Sequence, residues 1–171
     1  MTKDFAKAVP DLTKALELGS KDPKVYAARG TSLFETKEYE KAIPDFDRAI
    51  AVGENGSELF FQRGASKFQL KQFAAALPDL DKAITTGTTT AIAFDMRGYC
   101  KLEDKKYQAA SEDFTMALQQ DQKFSVAFFH RGDAKFQLND TQGAIDDYSQ
   151  AVTLGLTDPV LFNNRGKAYY N

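Results

Sequence analysis

The sequence predicts an all-α array of antiparallel helical hairpins, and three observations carry that prediction. An Arg-Gly pair recurs at 29/30, 63/64, 97/98, 131/132 and 165/166, a constant step of 34 residues without insertion. Alanines keep the step at 8, 42, 76, 110 and 144 and again at 15, 49, 83, 117 and 151, and aspartates keep it at 11, 45, 79, 113 and 147. Aromatic residues hold a single phase through Tyr26, Phe60, Phe94, Phe128 and Phe162. Self-similarity at a period of this length is the mark of stacked supersecondary units, each burying its apolar face on the next.

Each unit reads as two helices. In Asp22–Phe34, Tyr26, Gly30 and Phe34 fall at i, i+4 and i+8, and in Tyr39–Val52 a single stripe holds Tyr39, Ala42, Ile43, Phe46, Ala49 and Ile50. The polar stretch Glu35-Thr36-Lys37-Glu38 separates them as a turn. Gly19, Gly53, Gly87 and Gly155 follow the second helices, where a left-handed residue closes a helix; Asp121 replaces this glycine once, so that junction should close differently. Pro23 and Pro159 stand where a first helix begins. The phase gives a half-hairpin at 1–22, complete repeats at 23–56, 57–90, 91–124 and 125–158, and a half-hairpin at 159–171, all in a single array without a domain boundary.

The recurrent small residues mark helix crossings. Gly30 and Ala42 let the two backbones of a hairpin approach, the aromatics fill the flanking volume, and Ala49 admits the next first helix. Small size also explains Cys100, whose phase elsewhere holds Ser32, Ser66, Ala134 and Ala168. Pro10, Pro44 and Pro78 fall several residues into second helices, where each removes an i→i−4 bond and should bend the axis.

The five in-phase arginines and five in-phase aspartates call for ion pairs across helix junctions. Pairing each arginine with the preceding helix (Arg29–Asp11, Arg63–Asp45, Arg97–Asp79, Arg131–Asp113, Arg165–Asp147) leaves none over and is preferred, because a partly buried unpaired charge is costly. Pairing within a hairpin would strand Asp11 and Arg165. Lys67, Lys101 and Lys135, four residues after an arginine, either surround these aspartates or face water.

These residues resemble the tetratricopeptide repeat over the whole chain. The third unit supplies the family's aromatic, glycine, tyrosine, alanine, aromatic and alanine as Phe94, Gly98, Tyr107, Ala110, Phe114 and Ala117; the fourth has Thr141 where an aromatic is expected, which suggests a looser hairpin. Arginine replaces the usual leucine before glycine in every copy, so the chain reads as a variant with Arg-Gly in the first helix and Asp in the second. The inter-helix turn, often glycine in the family, has Lys37, Lys71, Lys105 and Asn139; asparagine tolerates left-handed φ, whereas the lysines would be strained or adopt another turn.

The resemblance implies a right-handed superhelical, tetratricopeptide-like solenoid. It also implies a non-catalytic scaffold for protein–protein interaction, with a peptide or partner protein held on a concave face lined by first helices. Carried onto this chain, that groove comprises Thr31, Phe61, Gln62, Asp95, Met96, Tyr99, Phe129, His130, Asp133, Asn163, Asn164 and Lys167. Phe61 and Phe129 have an alternative place between neighbouring first helices. Some family members clamp the C-terminal carboxylate of chaperones with lysine, asparagine and arginine. The three registers offer Ala27, Thr31, Gln62, Ile92 and Met96; Phe61, Ala65, Met96, Val126 and His130; or Asp95, Tyr99, His130, Val160 and Asn164. None suits, and Asp95 or Asp133 would repel a terminal carboxylate, so that partner is not expected.

Composition narrows the function further. With 22 Lys+Arg against 24 Asp+Glu, the net charge of −2 gives no reason to expect nucleic acid or a membrane surface. One cysteine is too few for a disulfide framework or a structural zinc site. No cofactor is expected: there is no phosphate loop, and the lone His130 beside Asp133 is a binding contact rather than a general base. Neither an apolar leader nor a spanning run is visible, so a cytoplasmic protein is expected, although a leader removed before Met1 would leave no trace. The terminal half-hairpins are complementary, which raises head-to-tail homo-oligomerisation through the chain ends as the alternative function; a fragment of a longer array would have the same ends.

Overall fold

The computed structural model describes residues 4–171, and these form ten α-helices and no strand. They group into two compact units, residues 4–88 and 89–171. The first contains α1 (Phe5–Glu17), α2 (Pro23–Glu35), α3 (Tyr39–Ala51), α4 (Ser57–Gln69) and α5 (Phe73–Thr85). The second contains α6 (Ala91–Glu103), α7 (Tyr107–Gln120), α8 (Ser125–Gln137), α9 (Thr141–Thr153) and α10 (Pro159–Tyr170). Within the first unit α2/α3 and α4/α5 are hairpins, α1 packs on α2, and α3 packs on α4. Within the second, α6/α7 and α8/α9 are hairpins, α7 packs on α8, and α9 packs on α10. The fold class is therefore the all-α stack of antiparallel hairpins that the period predicts.

Local chemistry sets the helix ends. Asp22 and Asp158 accept from the amides of Lys24 at 2.9 Å and Val160 at 2.7 Å, each just ahead of a proline at the first helical position. Gly19, Gly53, Gly87 and Gly155 adopt φ of 93°, 107°, 127° and 90°. The residue after each glycine bonds back into the helix, as Ser20 does to the Ala15 carbonyl at 3.1 Å, closing a Schellman motif. The α7 end differs as expected, with Asp121 extended at φ −142°.

The inter-helix turns take the left-handed form. Lys37, Lys71, Lys105 and Asn139 have φ of 64°, 59°, 59° and 64°. The same Schellman bonding fixes them, as in the Glu38 amide to the Leu33 carbonyl at 2.8 Å. Three of the four turns thus hold a lysine in a conformation better suited to glycine. Thr141 exchanges one contact for another. Phe34 meets Tyr39 edge-on at 5.8 Å and Phe68 meets Phe73 at 5.3 Å, whereas the fourth turn caps α9 by accepting the Gly143 amide on Asp140 at 3.0 Å.

The crossings are where the small residues place them. Ala42, Ala49, Ala76, Ala83, Ala110, Ala117, Ala144 and Ala151 have no exposed surface, and neither do the Phe46, Leu80, Phe114 and Tyr148 side chains between them. Gly30, Gly64, Gly98 and Gly132 each face one of those large side chains. A Cβ at Gly98 would stand 2.7 Å from Phe114 Cε1. α1, α3 and α5 run unbroken through Pro10, Pro44 and Pro78, which are all exposed.

The arginines pair differently from the preferred assignment. Arg29, Arg63, Arg97 and Arg131 each bond to the aspartate of their own hairpin, not to that of the preceding helix. Arg29 forks onto Asp45 through Nε and Nη2, both at 2.7 Å, and Arg63–Asp79, Arg97–Asp113 and Arg131–Asp147 repeat the fork. Lys67, Lys101 and Lys135 add a second cation to the same carboxylates at 2.7, 2.7 and 2.8 Å. The preceding helix receives only the remaining arginine nitrogen, on Thr13, Asp47 and Thr115. Asp11 is left exposed to water, and Arg165 lies over the Phe162 ring at 5.5 Å. A solvated carboxylate has little desolvation cost, so stranding Asp11 weighs little against the hairpin fork.

Candidate functional site

First helices are adjacent to one another within each unit, α2 with α4, and α6 with α8 and α8 with α10. Some of the residues assigned to the groove make contacts between them: Thr31 with Gln62, Asp95 and Tyr99 with His130, and Asp133 with Asn164. In the first unit the Thr31 hydroxyl donates to Gln62 Oε1 at 2.7 Å, and the Gln62 amide donates to Glu58 at 2.9 Å. Gln62 is buried and Phe61 half-buried, so this stretch offers little free polar capacity.

In the second unit the assigned residues form two layers. The first joins α6 to α8. Asp95 lies 2.9 Å from His130 Nδ1; a carboxylate accepts, so the ring donates from Nδ1. Tyr99, Phe114 and Phe129 surround the imidazole at ring separations of 4.9, 5.5 and 5.6 Å. Burial pushes the Tyr99 hydroxyl above the usual tyrosine range, and Glu103 adds to the shift. Phe129 is buried in the core with Tyr148 of α9 and Leu161 of α10. Met96 is half-buried on α6.

The second layer joins α8 to α10 around Asp133. Its Oδ1 accepts from the Tyr148 hydroxyl at 2.7 Å and from the Asn164 amide at 2.9 Å. Burial raises the Asp133 carboxyl above the usual aspartate range, while those two donors and His130 pull it back. The same burial, then the Asp133 charge, drives the Tyr148 hydroxyl far up, so it remains a donor. Asn163 and Lys167 are exposed on α10. A cavity of about 370 Å³ opens here, lined by Asp133, Asn164 and Lys167 together with Leu102, Glu103, Tyr107 and Phe136.

Sequence reasoning named Asp133 and Asn164 but missed Tyr148, Glu103 and Tyr107. A signal for Tyr148 exists. Its phase holds Leu12, Phe46, Leu80 and Phe114 elsewhere, and the one hydroxyl coincides with the one aspartate in the phase of Thr31, Ala65, Tyr99 and Lys167. Reading the hairpin's two helices together would have paired them.

Two repeat models match the sequence, one described as tetratricopeptide repeat over residues 3–58 and one as TPR repeat over 132–171. The chain is built of tetratricopeptide repeats. No curated protein sequence matches the chain. Among solved structures it is similar to YrrB, described as a TPR protein with an unusual peptide-binding site, at 24% identity and a TM-score of 0.83, covering 96% of this chain and 84% of that one. It is also similar to MamA from Desulfovibrio magneticus RS-1 at 20% identity and 0.71, covering 90% and 97%. The first TPR of Spaghetti (RPAP3), described as bound to the HSP90 peptide SRMEEVD, matches at 19% and 0.62, covering 67% and 90%. At these identities the likeness is one of fold. Among the described residues no group of three or more His, Cys, Asp or Glu is placed to hold a metal, and no helix is long and apolar enough to cross a membrane.

Proposed function

We propose that this tetratricopeptide chain is a non-catalytic scaffold that binds a peptide or partner protein on the face shared by its first helices, the concave face in the repeat family. The observation that carries this reading is the α6–α8–α10 face, where polar side chains held by neighbours border an open cavity of about 370 Å³. Such an arrangement suits recognition: aromatic walls supply contact area, and fixed polar groups supply orientation. The peptide-binding descriptions of YrrB and of the Spaghetti repeat agree with it. The contact residues proposed here are Tyr99, Asp133, Asn163, Asn164 and Lys167, with Asp95, Met96, Phe129 and His130 shaping or supporting this face; Thr31, Phe61 and Gln62 are the residues proposed for the first-helix face of the first unit. The Arg-Gly and Asp positions define a variant of the repeat whose charged residues stabilise hairpins rather than contact the partner.

The test is binding of library-selected peptides to the full chain and to Tyr99→Ala/Asn163→Ala/Lys167→Ala. The triple variant should lose about tenfold or more in affinity, equivalent to roughly 1.4 kcal/mol or more. Unchanged binding by a folded triple variant would move the site to the second helices.

A second reading rests on α10, which exposes Val160, Phe162, Tyr169 and Tyr170, and where a Cβ added at Gly166 would meet nothing within 4 Å. We propose that α1 of a second copy, with its Ala8, Asp11, Leu12 and Ala15, packs there as a second helix would. Light scattering across a concentration series should then show mass rising with concentration; a constant monomer mass would exclude it.

A further inference from the structure

We propose that the cavity beside Asp133 receives a single cationic side chain, arginine or lysine, from a partner segment that is otherwise neutral or acidic. The inference rests on the reading of the α6–α8–α10 face given above and names the chemistry of its partner.

Asp133 is a carboxylate with one oxygen used and one free. Tyr148 and Asn164 both donate to Oδ1, and among the described residues nothing donates to Oδ2. Among the described residues no buried side-chain oxygen lacks a partner, so Oδ2, with no donor, has access to solvent where Asp133 lines the cavity. The two donors hold the carboxylate in one orientation, which reduces the entropy a guest would otherwise lose in ordering it. Burial alone disfavours its charged form, and a guest cation reverses that penalty by supplying the missing donor and opposite charge.

The walls favour the same guest. Leu102 and Phe136 offer apolar surface for the methylene stem of a long basic side chain, and Tyr107 offers an aromatic ring. Glu103 brings a second carboxylate to the lining. An anionic guest would meet Asp133 and Glu103, and a neutral apolar one would cover Oδ2 without satisfying it, which is costly for a buried acceptor. The lining also sets a limit. Lys105 and Lys167, exposed residues of the same lining, repel further positive charge. A run of basic residues is therefore disfavoured, while one cation beside neutral or acidic residues satisfies Asp133 without crowding the two lysines.

The test uses the full chain and fluorescently labelled peptide libraries that carry Arg, Lys, norleucine or Glu at a fixed centre, with flanks randomised over Leu, Tyr, Ser, Ala and Glu. Binding is measured for wild type and Asp133→Asn, which keeps an acceptor for Tyr148 and Asn164; far-UV circular dichroism and thermal melting verify the fold. The Arg and Lys libraries should yield the tightest binders, and Asp133→Asn should weaken those by about tenfold or more while leaving norleucine peptides unchanged. An oligo-arginine peptide should bind more weakly than the single-arginine peptides. Norleucine or Glu peptides binding as tightly as Arg peptides, or Arg peptides indifferent to Asp133→Asn, would overturn the cationic guest while leaving peptide binding intact. A folded chain that binds none of the libraries would overturn the underlying reading as well.

Discussion

Gly132 lies beneath the ring of Tyr148, so close that a Cβ at 132 would stand 2.6 Å from Cε1 and 2.7 Å from Cδ1. The same relationship joins Gly30 to Phe46 and Gly98 to Phe114, and it explains why glycine recurs inside helices where it is otherwise unfavourable. Gly166 occupies the equivalent position on α10, where an added Cβ would meet nothing within 4 Å.

The two positions predict opposite outcomes for one substitution. Gly132→Ala should destabilise the chain by roughly 1–3 kcal/mol through overpacking against a fully buried ring. Gly166→Ala should be neutral or stabilise by up to about 1 kcal/mol, because only helix propensity changes. Urea denaturation of both variants reads the contrast, and equal effects would contradict it.

The turn lysines predict a gain from glycine. Lys71 sits at φ 59° with its side chain exposed. Lys71→Gly should stabilise the chain by about 0.5–1 kcal/mol, the left-handed penalty relieved less the entropy of glycine. Asn139→Gly, starting from a residue that tolerates this region, should gain less. Thermal melts of the two variants check the order.

Two aspartates in the same repeat phase should behave unlike each other. Asp113→Ala leaves Arg97 and Lys101 partly buried without their shared carboxylate and should cost roughly 3–5 kcal/mol. Asp11→Ala removes a solvated carboxylate and should change stability by less than about 0.5 kcal/mol. Comparable losses measured by denaturant unfolding would restore the inter-helix pairing.

This contrast shows where the sequence was legible and where it was not. The hairpin boundaries, the Gly–aromatic and alanine crossings, and the exceptional α7 end follow from period and residue size, because backbone approach tolerates few alternatives. The partner of Arg29 does not follow. The period puts Asp11 before it and Asp45 after it with equal regularity, and only the hairpin geometry decides. Counting charges favoured the wrong side because it treated Asp11 as buried. At the candidate site, Asp133 and Asn164 were legible as first-helix residues. Tyr148 was not, because a second-helix core position gives no hint that its hydroxyl reaches across to a carboxylate.

Asp133 also predicts a pH dependence. Its folded carboxyl titrates above the ordinary 3.8, so the folded state holds the proton to higher pH than the unfolded state does. Stability from this group is complete below 3.8 and falls as pH rises through the folded value. Asp158 reinforces the shift, while Tyr148, Asn164 and His130 oppose it. Asp133→Asn should therefore become more stable relative to wild type as pH increases through that window and level off above it. A relative stability that falls over the same range would show the carboxyl to be lowered instead.

The most direct measurement of the proposed binding face is an amide NMR titration of the full chain with a peptide selected for binding. Shift perturbations should concentrate on α6, α8 and α10, around Tyr99, Asp133, Asn163 and Lys167, with α7 and α9 little affected beyond Tyr107 and Tyr148, which line the cavity. Perturbations confined to α7 and α9, with the first-helix face unmoved, would contradict a first-helix site.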